Sequence, residues 1–131
     1  GNGHMVWSDQ ARYEGEWQYN QACGMGKFHH TDGDVYEGQW ANNKANGDGL
    51  YINIKGARYE GSWRDDQQHG RGIETWPEGA KYEGDYNMSR KQGTGKYTWA
   101  DSSTYEGHWF DNKINGFGTY LWADGRRYYG L

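Results

Sequence analysis

The 131-residue chain has one cysteine, Cys23, and one proline, Pro77. A lone thiol closes no disulfide within the chain, and no charged-then-apolar leader opens it, so the expected setting is cytosolic and Cys23 reads as an inert loop thiol. One proline excludes collagen-like and proline-rich linker sequence. Leu, Ile, Val and Phe together number only 12, well under the roughly 20% below which a charged chain is usually disordered. No apolar run approaches the roughly 18–20 residues of a membrane-spanning helix. Net charge is −4 with acids and bases interleaved. The basic footprint of a nucleic-acid binder is therefore missing, and no nucleic-acid partner is expected.

What the chain does have is glycine and rings: 22 Gly, 12 Tyr, 8 Trp and 3 Phe. Disordered chains are poor in aromatics, and a packed ring buries roughly 150–250 Å², so a core of rings set against glycine is expected. Self-similarity organises both residue types. Tyr-Glu-Gly begins at Tyr13, Tyr36, Tyr59, Tyr82 and Tyr105, with Tyr128-Tyr129-Gly130 as a variant, every interval being 23 residues. Gly-x-Gly begins at Gly1, Gly24, Gly47, Gly70, Gly93 and Gly116 on the same period. The units run 1–23, 24–46, 47–69, 70–92, 93–115 and an incomplete 116–131, read as a single array cut from a longer one. Gly1 and Gly3 are in phase, so the amino end reads as native sequence.

Numbered within each unit, every glycine falls at position 1, 3, 10 or 15. Tyr stands at 13 throughout, and Trp17, Trp40, Trp63, Tyr86 and Trp109 stand at 17. Tyr19, Phe110, Phe117 and Tyr129 lie outside the frame. Rings and glycines at 3, 5, 7 and at 13, 15, 17 alternate with polar residues, the period of a strand with one apolar face. Thr31-Asp32-Gly33, Pro77-Glu78-Gly79 and Ala123-Asp124-Gly125 predict three-residue loops, a type I turn closed by a left-handed glycine. Gln10 and Ser102 replace that glycine, predicting strained or lengthened turns there. An odd loop keeps both ring sets on one face and brings position 5 beside position 13.

The eighteen glycines at positions 1, 3 and 15 read as room for rings of adjacent units to stack. Residues 18–23, 41–46 and 64–69 are polar without periodicity and read as loops between hairpins. The predicted fold is all-β: an elongated single-layer antiparallel sheet of successive β-hairpins, a solenoid roughly 55–60 Å long. Its open edges predict end-to-end pairing.

Gly-x-Gly, a short strand, Asp-Gly and Tyr-Glu-Gly-x-Trp on this period resemble the MORN repeat (membrane occupation and recognition nexus), most clearly over residues 24–40 and 70–86. The resemblance spans essentially the whole chain. It implies an elongated sheet of hairpins with an aromatic-lined groove, and no catalysis. Members of that family serve as interaction modules in cytoskeletal scaffolds, flagellar radial spokes, junctional membrane proteins and plant lipid kinases, and phospholipid binding has been proposed for them.

The Gly-x-Gly pairs precede strands, whereas a phosphate-cradling loop precedes a helix. His4, His29, His30, His69 and His108 fall in five different columns, so no metal site is expected. Glu14, Glu37, Glu60, Glu83 and Glu106 form a column whose members stand roughly 10 Å apart on the polar face. They read as a solvated stripe pairing with Arg12, Arg58, Lys81 and Arg127, not as catalytic carboxylates. Neither enzyme activity nor a cofactor is expected.

On the ring face, the regular columns Tyr13, Tyr36, Tyr59, Tyr82, Tyr105, Tyr128 and Trp17, Trp40, Trp63, Trp109 read as structural stacking. Positions 5 and 7 vary more. There Trp76, Tyr97, Trp99, Tyr120 and Trp122, with Tyr51 and Trp7, are the candidate partner-binding residues. A single-layer sheet cannot cover this face itself, and exposed rings mark partner sites.

The leading expectation is a non-catalytic scaffold binding a helical or extended segment of a protein partner, or a second copy of itself, through this groove. The second is a peripheral phospholipid-binding or regulatory module of a larger protein such as a lipid kinase. Unit charge rises from −2 at the amino end to +1 at the carboxyl end, where Arg126 and Arg127 follow Arg90 and Lys91. That falls short of the about four to eight clustered bases that hold a protein on anionic lipid, so only weak lipid binding is expected. The corresponding location is cytoplasmic, with cytoskeletal or membrane association.

Overall fold

A computed structural model describes residues 2–19 and 21–130; the column assignment of Gly1 lies outside them. The strands in chain order are β1 (Asn2–Val6), β2 (Arg12–Gln18), β3 (Gln21–His29), β4 (Val35–Ala41), β5 (Lys44–Ile52) and β6 (Arg58–Arg64), then β7 (Gln67–Thr75), β8 (Lys81–Asn87), β9 (Arg90–Thr98), β10 (Thr104–Phe110), β11 (Lys113–Leu121) and β12 (Arg127–Gly130). Each pairs antiparallel with the next, giving one open 12-stranded sheet ordered as the sequence is. No helix occurs among the described residues. The chain is thus all-β, an open sheet of successive hairpins.

Within each unit the turn has the predicted geometry. The His30 N–H donates to the Asp34 carbonyl at 2.8 Å and the Gly33 N–H to the His30 carbonyl at 3.1 Å, with Gly33 at φ 100°. Gln10 and Ser102 adopt the same left-handed conformation, at φ 78° and 75°. They donate to the carbonyls of Trp7 and Trp99 at 3.0 and 2.9 Å. Those two turns are not lengthened. They keep the common geometry at the roughly 1–2 kcal/mol that a left-handed conformation costs a residue bearing a Cβ. The register sets position 5 opposite position 13, as Phe28 with Tyr36 and Tyr51 with Tyr59.

Residues 18–23, 41–46 and 64–69 are not loops. β4 ends at Ala41 and β5 begins at Lys44, leaving a two-residue turn, and β6 and β7 are joined the same way. Both turn residues are left-handed: Asn42 and Asn43 at φ 53° and 66°, Asp65 and Asp66 at 48° and 69°, Asp111 and Asn112 at 52° and 68°. This is the type I′ hairpin turn, which short Asn and Asp side chains tolerate. The alternation of polar and apolar residues fails here because a bulge between Gly38 and Trp40, repeated between Gly61 and Trp63, shifts the register. The second turn residue also clips the preceding unit. The Asn43 N–H donates to the Ala22 carbonyl at 3.1 Å, while its Oδ1 accepts the Ala22 N–H at 2.6 Å. Asp66 repeats both bonds with Ala45.

The glycines serve two purposes rather than one. Those at 3 and 15 pair across strands, as Gly26 with Gly15, and a Cβ on Gly26 would overlap the Tyr13 ring. Position 1 does not answer to ring stacking. Gly24, Gly47, Gly70, Gly93 and Gly116 sit in the bulges at φ 65–106°, and a Cβ on Gly70 or Gly93 would meet Ser62 or Asp85 on the polar face, not a ring. On that face Lys27 lies between Glu14 and Glu37, and Lys96 between Glu83 and Glu106. Arg12–Glu14 and Lys81–Glu83 form exposed ion pairs at 4.0 and 3.7 Å, a class that adds little stability.

Candidate partner-binding face

The core is an inner row of tyrosines. Tyr13, Tyr36, Tyr59, Tyr82 and Tyr105 are at most 5% exposed. Each hydroxyl turns back to donate to the carbonyl three residues on, as Tyr36 to Gln39 and Tyr82 to Asp85, both at 2.9 Å. Burial is the chief cause that pushes Tyr13 and Tyr82 up to about 12, and it raises Tyr36 and Tyr59 further. The hydroxyls therefore stay protonated and remain donors.

Tyr13, Tyr36, Tyr59 and Tyr82 each lie edge-to-face between two position-17 rings, and Tyr105 lies against one, Trp109. Tyr13 is 4.9 Å from Trp17 and 5.2 Å from Trp40, and Tyr36 is 5.2 Å from both Trp40 and Trp63. This is the arrangement that ring quadrupoles favour. The indoles are tied down in turn, Trp40 Nε1 donating to the Gly26 carbonyl at 3.1 Å and Trp63 Nε1 to that of Gly49 at 3.2 Å. Tyr128, in the last described strand, is 52% exposed.

An outer row rises beside this core. Trp76, Tyr97, Trp99, Tyr120 and Trp122 form an unbroken ribbon with successive centroid distances of 5.6, 4.8, 5.2 and 4.5 Å. A second ribbon runs Trp7, Phe28, His30, Tyr51 at 5.4, 4.6 and 5.8 Å. Trp7 and Trp122 are exposed and the other candidates half-buried. All seven candidate residues thus share one face, five on the first ribbon and two on the second.

Between the ribbons lies a polar break that sequence reasoning missed. Glu74 occupies the position-5 ring column and accepts the Tyr86 hydroxyl at 2.6 Å. Lys91 Nζ stands 5.5 Å from the Trp76 centroid and 5.3 Å from that of Tyr82. Burial lowers the Lys91 pKa, opposed by Glu74. At the far rim Asp34 accepts the Tyr51 hydroxyl and, at 2.9 Å, the Ile54 N–H. The Tyr51 bond is the main reason its carboxyl is held below the usual range. The signal that could have found Glu74 is departure from the column, a carboxylate where other units carry a ring or Met.

The face is also pitted. A cavity of about 300 Å³ opens over Tyr36, walled by Trp40, Trp63, Phe28, Tyr51 and Ala45. Another of about 330 Å³ opens over Tyr13, walled by Trp17, Trp40 and Ala22. Position 22 faces position 17 across the strands: Trp17 with Ala22, Trp40 with Ala45, Trp63 with Gln68, Tyr86 with Lys91. Alanine leaves space beside the position-17 ring, whereas Lys91 reaches over Tyr82.

Among solved structures the chain is similar to the SAS-4 (dCPAP) TCP domain of Drosophila melanogaster, a structure in complex with a proline-rich motif of Ana2 (dSTIL). Identity is 13%, the TM-score 0.54, and the match covers 98% of this chain and 76% of that one. The TCP10c domain of Drosophila melanogaster Sas-4 also matches, at 15% identity, a TM-score of 0.31, and 100% and 99% coverage. No curated protein matches the chain by sequence. The MORN repeat description matches residues 13–35, 36–58, 59–81, 82–104 and 105–126 in unbroken succession, and the chain belongs to the MORN repeat family.

Proposed function

We propose that the chain is a non-catalytic protein-interaction scaffold that docks a segment of a partner protein on its ring face. The observation that carries this is the ribbon from Trp76 to Trp122, half-exposed on a sheet with no second layer over it among the described residues. Large rings held by their neighbours bury area at low entropic cost and are the usual anchors of an interface. The fold-level likeness to a domain solved with a proline-rich motif supports the same reading.

Lipid is the weaker reading, because three of the four bases it would use, Arg90, Lys91 and Arg126, are engaged. Arg90 pairs with Asp111 at 3.3 Å, Arg126 with Asp124 at 2.8 Å, and Lys91 lies against rings. The test is affinity capture from the protein's own source with wild-type chain and with Trp99→Ala and Trp122→Ala, folding being checked by circular dichroism. Folded variants should lose a partner that wild type retains. Undiminished capture by folded variants would remove the ribbon from the interface. Sedimentation with anionic vesicles at low salt should leave the chain in the supernatant.

A further inference from the structure

We propose that the cavities over Tyr13 and Tyr36 receive successive turns of a basic, proline-rich segment of the partner in polyproline II conformation. This rests on the ring-face reading above and names the class of partner. The cavities are one repeat apart, hence two strands or roughly 9.6 Å. A polyproline II helix rises about 3.1 Å per residue with three residues per turn, so every third side chain returns to the same side after about 9.3 Å. An α-helix repeats its face after about 10.5 Å, seven residues at 1.5 Å each. An extended strand returns to one side at multiples of about 6.6 Å. The left-handed helix is the closest fit to two consecutive cavities.

The walls agree with that choice. The Trp40 and Trp63 indole N–H groups are already committed to the carbonyls of Gly26 and Gly49, so these indoles offer the cavities their ring faces, beside the polar side chains of Asn43 in both and of His30 and Asp66 in the one over Tyr36. The backbone of the sheet is paired in its own plane. Polyproline II needs no hydrogen bonds from its host because its backbone stays solvated.

Charge supplies the second half of the description. The first three units carry the whole net charge of −4 and the last three sum to zero. Asp66 lines the cavity over Tyr36, and Asp32 and Asp65 are exposed at the turns on either side. Among the described residues no ion pair engages Asp66 or Asp32. A segment carrying Arg or Lys beside its prolines complements this end of the sheet.

The test uses a labelled oligoproline peptide flanked by arginines, a Gly-Ser peptide with the same flanks, and an amphipathic helical peptide. Ala22→Gln and Ala45→Gln place in units 1 and 2 the residue that unit 3 holds naturally as Gln68, so the fold accommodates them. The oligoproline peptide should bind wild type, weaken with added salt, and lose about tenfold or more in affinity to each variant. No binding to folded wild type, equal binding of the Gly-Ser peptide, or affinity unchanged in folded Ala45→Gln would each overturn the proposal. If the helical peptide binds and depends on Trp99 while oligoproline does not bind, the ring-face reading stands and the polyproline inference fails. Oligoproline seated in these two cavities touches neither Trp99 nor Trp122, so its affinity should survive Trp99→Ala and Trp122→Ala; loss of binding to both folded variants would place the peptide on the ribbon and overturn the cavity assignment.

Discussion

The ring of Tyr82 fills the space that a side chain on Gly95 would need: a Cβ there would stand 2.6 Å from Tyr82 Cζ. The same relationship links Tyr13 to Gly26, Tyr36 to Gly49, Tyr59 to Gly72 and Tyr105 to Gly118. Neither partner can yield, since the ring is held by its hydroxyl and by the rings on both sides. Gly95→Ala should therefore cost about 1–3 kcal/mol as overpacking, read as a lower urea midpoint. An unchanged midpoint would mean that the ring is free to move.

The hydroxyl itself has a smaller effect. Tyr59→Phe removes the bond to the Ser62 carbonyl, 2.9 Å long, and should cost about 0.5–1.5 kcal/mol. Thermal melts of this variant and of Gly95→Ala should rank in that order.

Turn chemistry predicts gains. Met88 and Ser89 hold a type I′ turn at φ 49° and 68°, where Asn-Gly is the preferred pair. Replacing them with Asn-Gly, or Ser102, at φ 75°, with Gly, should stabilise the chain by about 1 kcal/mol each. A rise in urea midpoint without a change in slope is the expected result; a fall would show that the native side chains contribute more than their strain.

How much of this was visible beforehand depends on the column. Tyr51 opposite Tyr59 and the Gly33 turn could be written from the sequence, because period two and a loop of odd length leave one register. The turns at Asn42-Asn43 and Asp65-Asp66 were hidden by the neighbouring bulge, which destroys alternation just where the strands continue. The paired Asn and Asp residues recurring after 23 positions were nonetheless there to be read. The Glu74–Tyr86–Lys91 break and the open cavities escaped for another reason: the repeat draws attention to what is shared, and these arise from single departures such as Lys91 standing in the place of Ala45.

Alkaline pH should unfold the sheet. In the folded chain Tyr13 and Tyr82 are pushed up to about 12 from an ordinary 10.0, so above about pH 10 the unfolded chain holds fewer protons than the folded one. Stability is complete below about pH 10 and falls as pH climbs through about 12, by up to about 1.4 kcal/mol per pH unit for each such tyrosine. Tyrosinate absorbance from these groups should rise together with the loss of circular dichroism. Their full ionisation near pH 10 with the sheet intact would contradict their burial.

Because every strand pairs only with its neighbours in sequence, nothing in the molecule has to find a distant partner in order to fold. The clips from Ala22, Ala45 and Lys91 reach across just 21 residues, less than one period. Assembly can therefore start at any hairpin and spread in both directions, with a low contact order and a correspondingly fast rate. In the isolated 131-residue chain unfolding should proceed inward from β1 and β12, so that amide exchange is quickest there and slowest near Tyr59 and Tyr82. Deleting one whole 23-residue unit from the middle would leave every remaining junction of the same kind, shortening the array without altering how it is built.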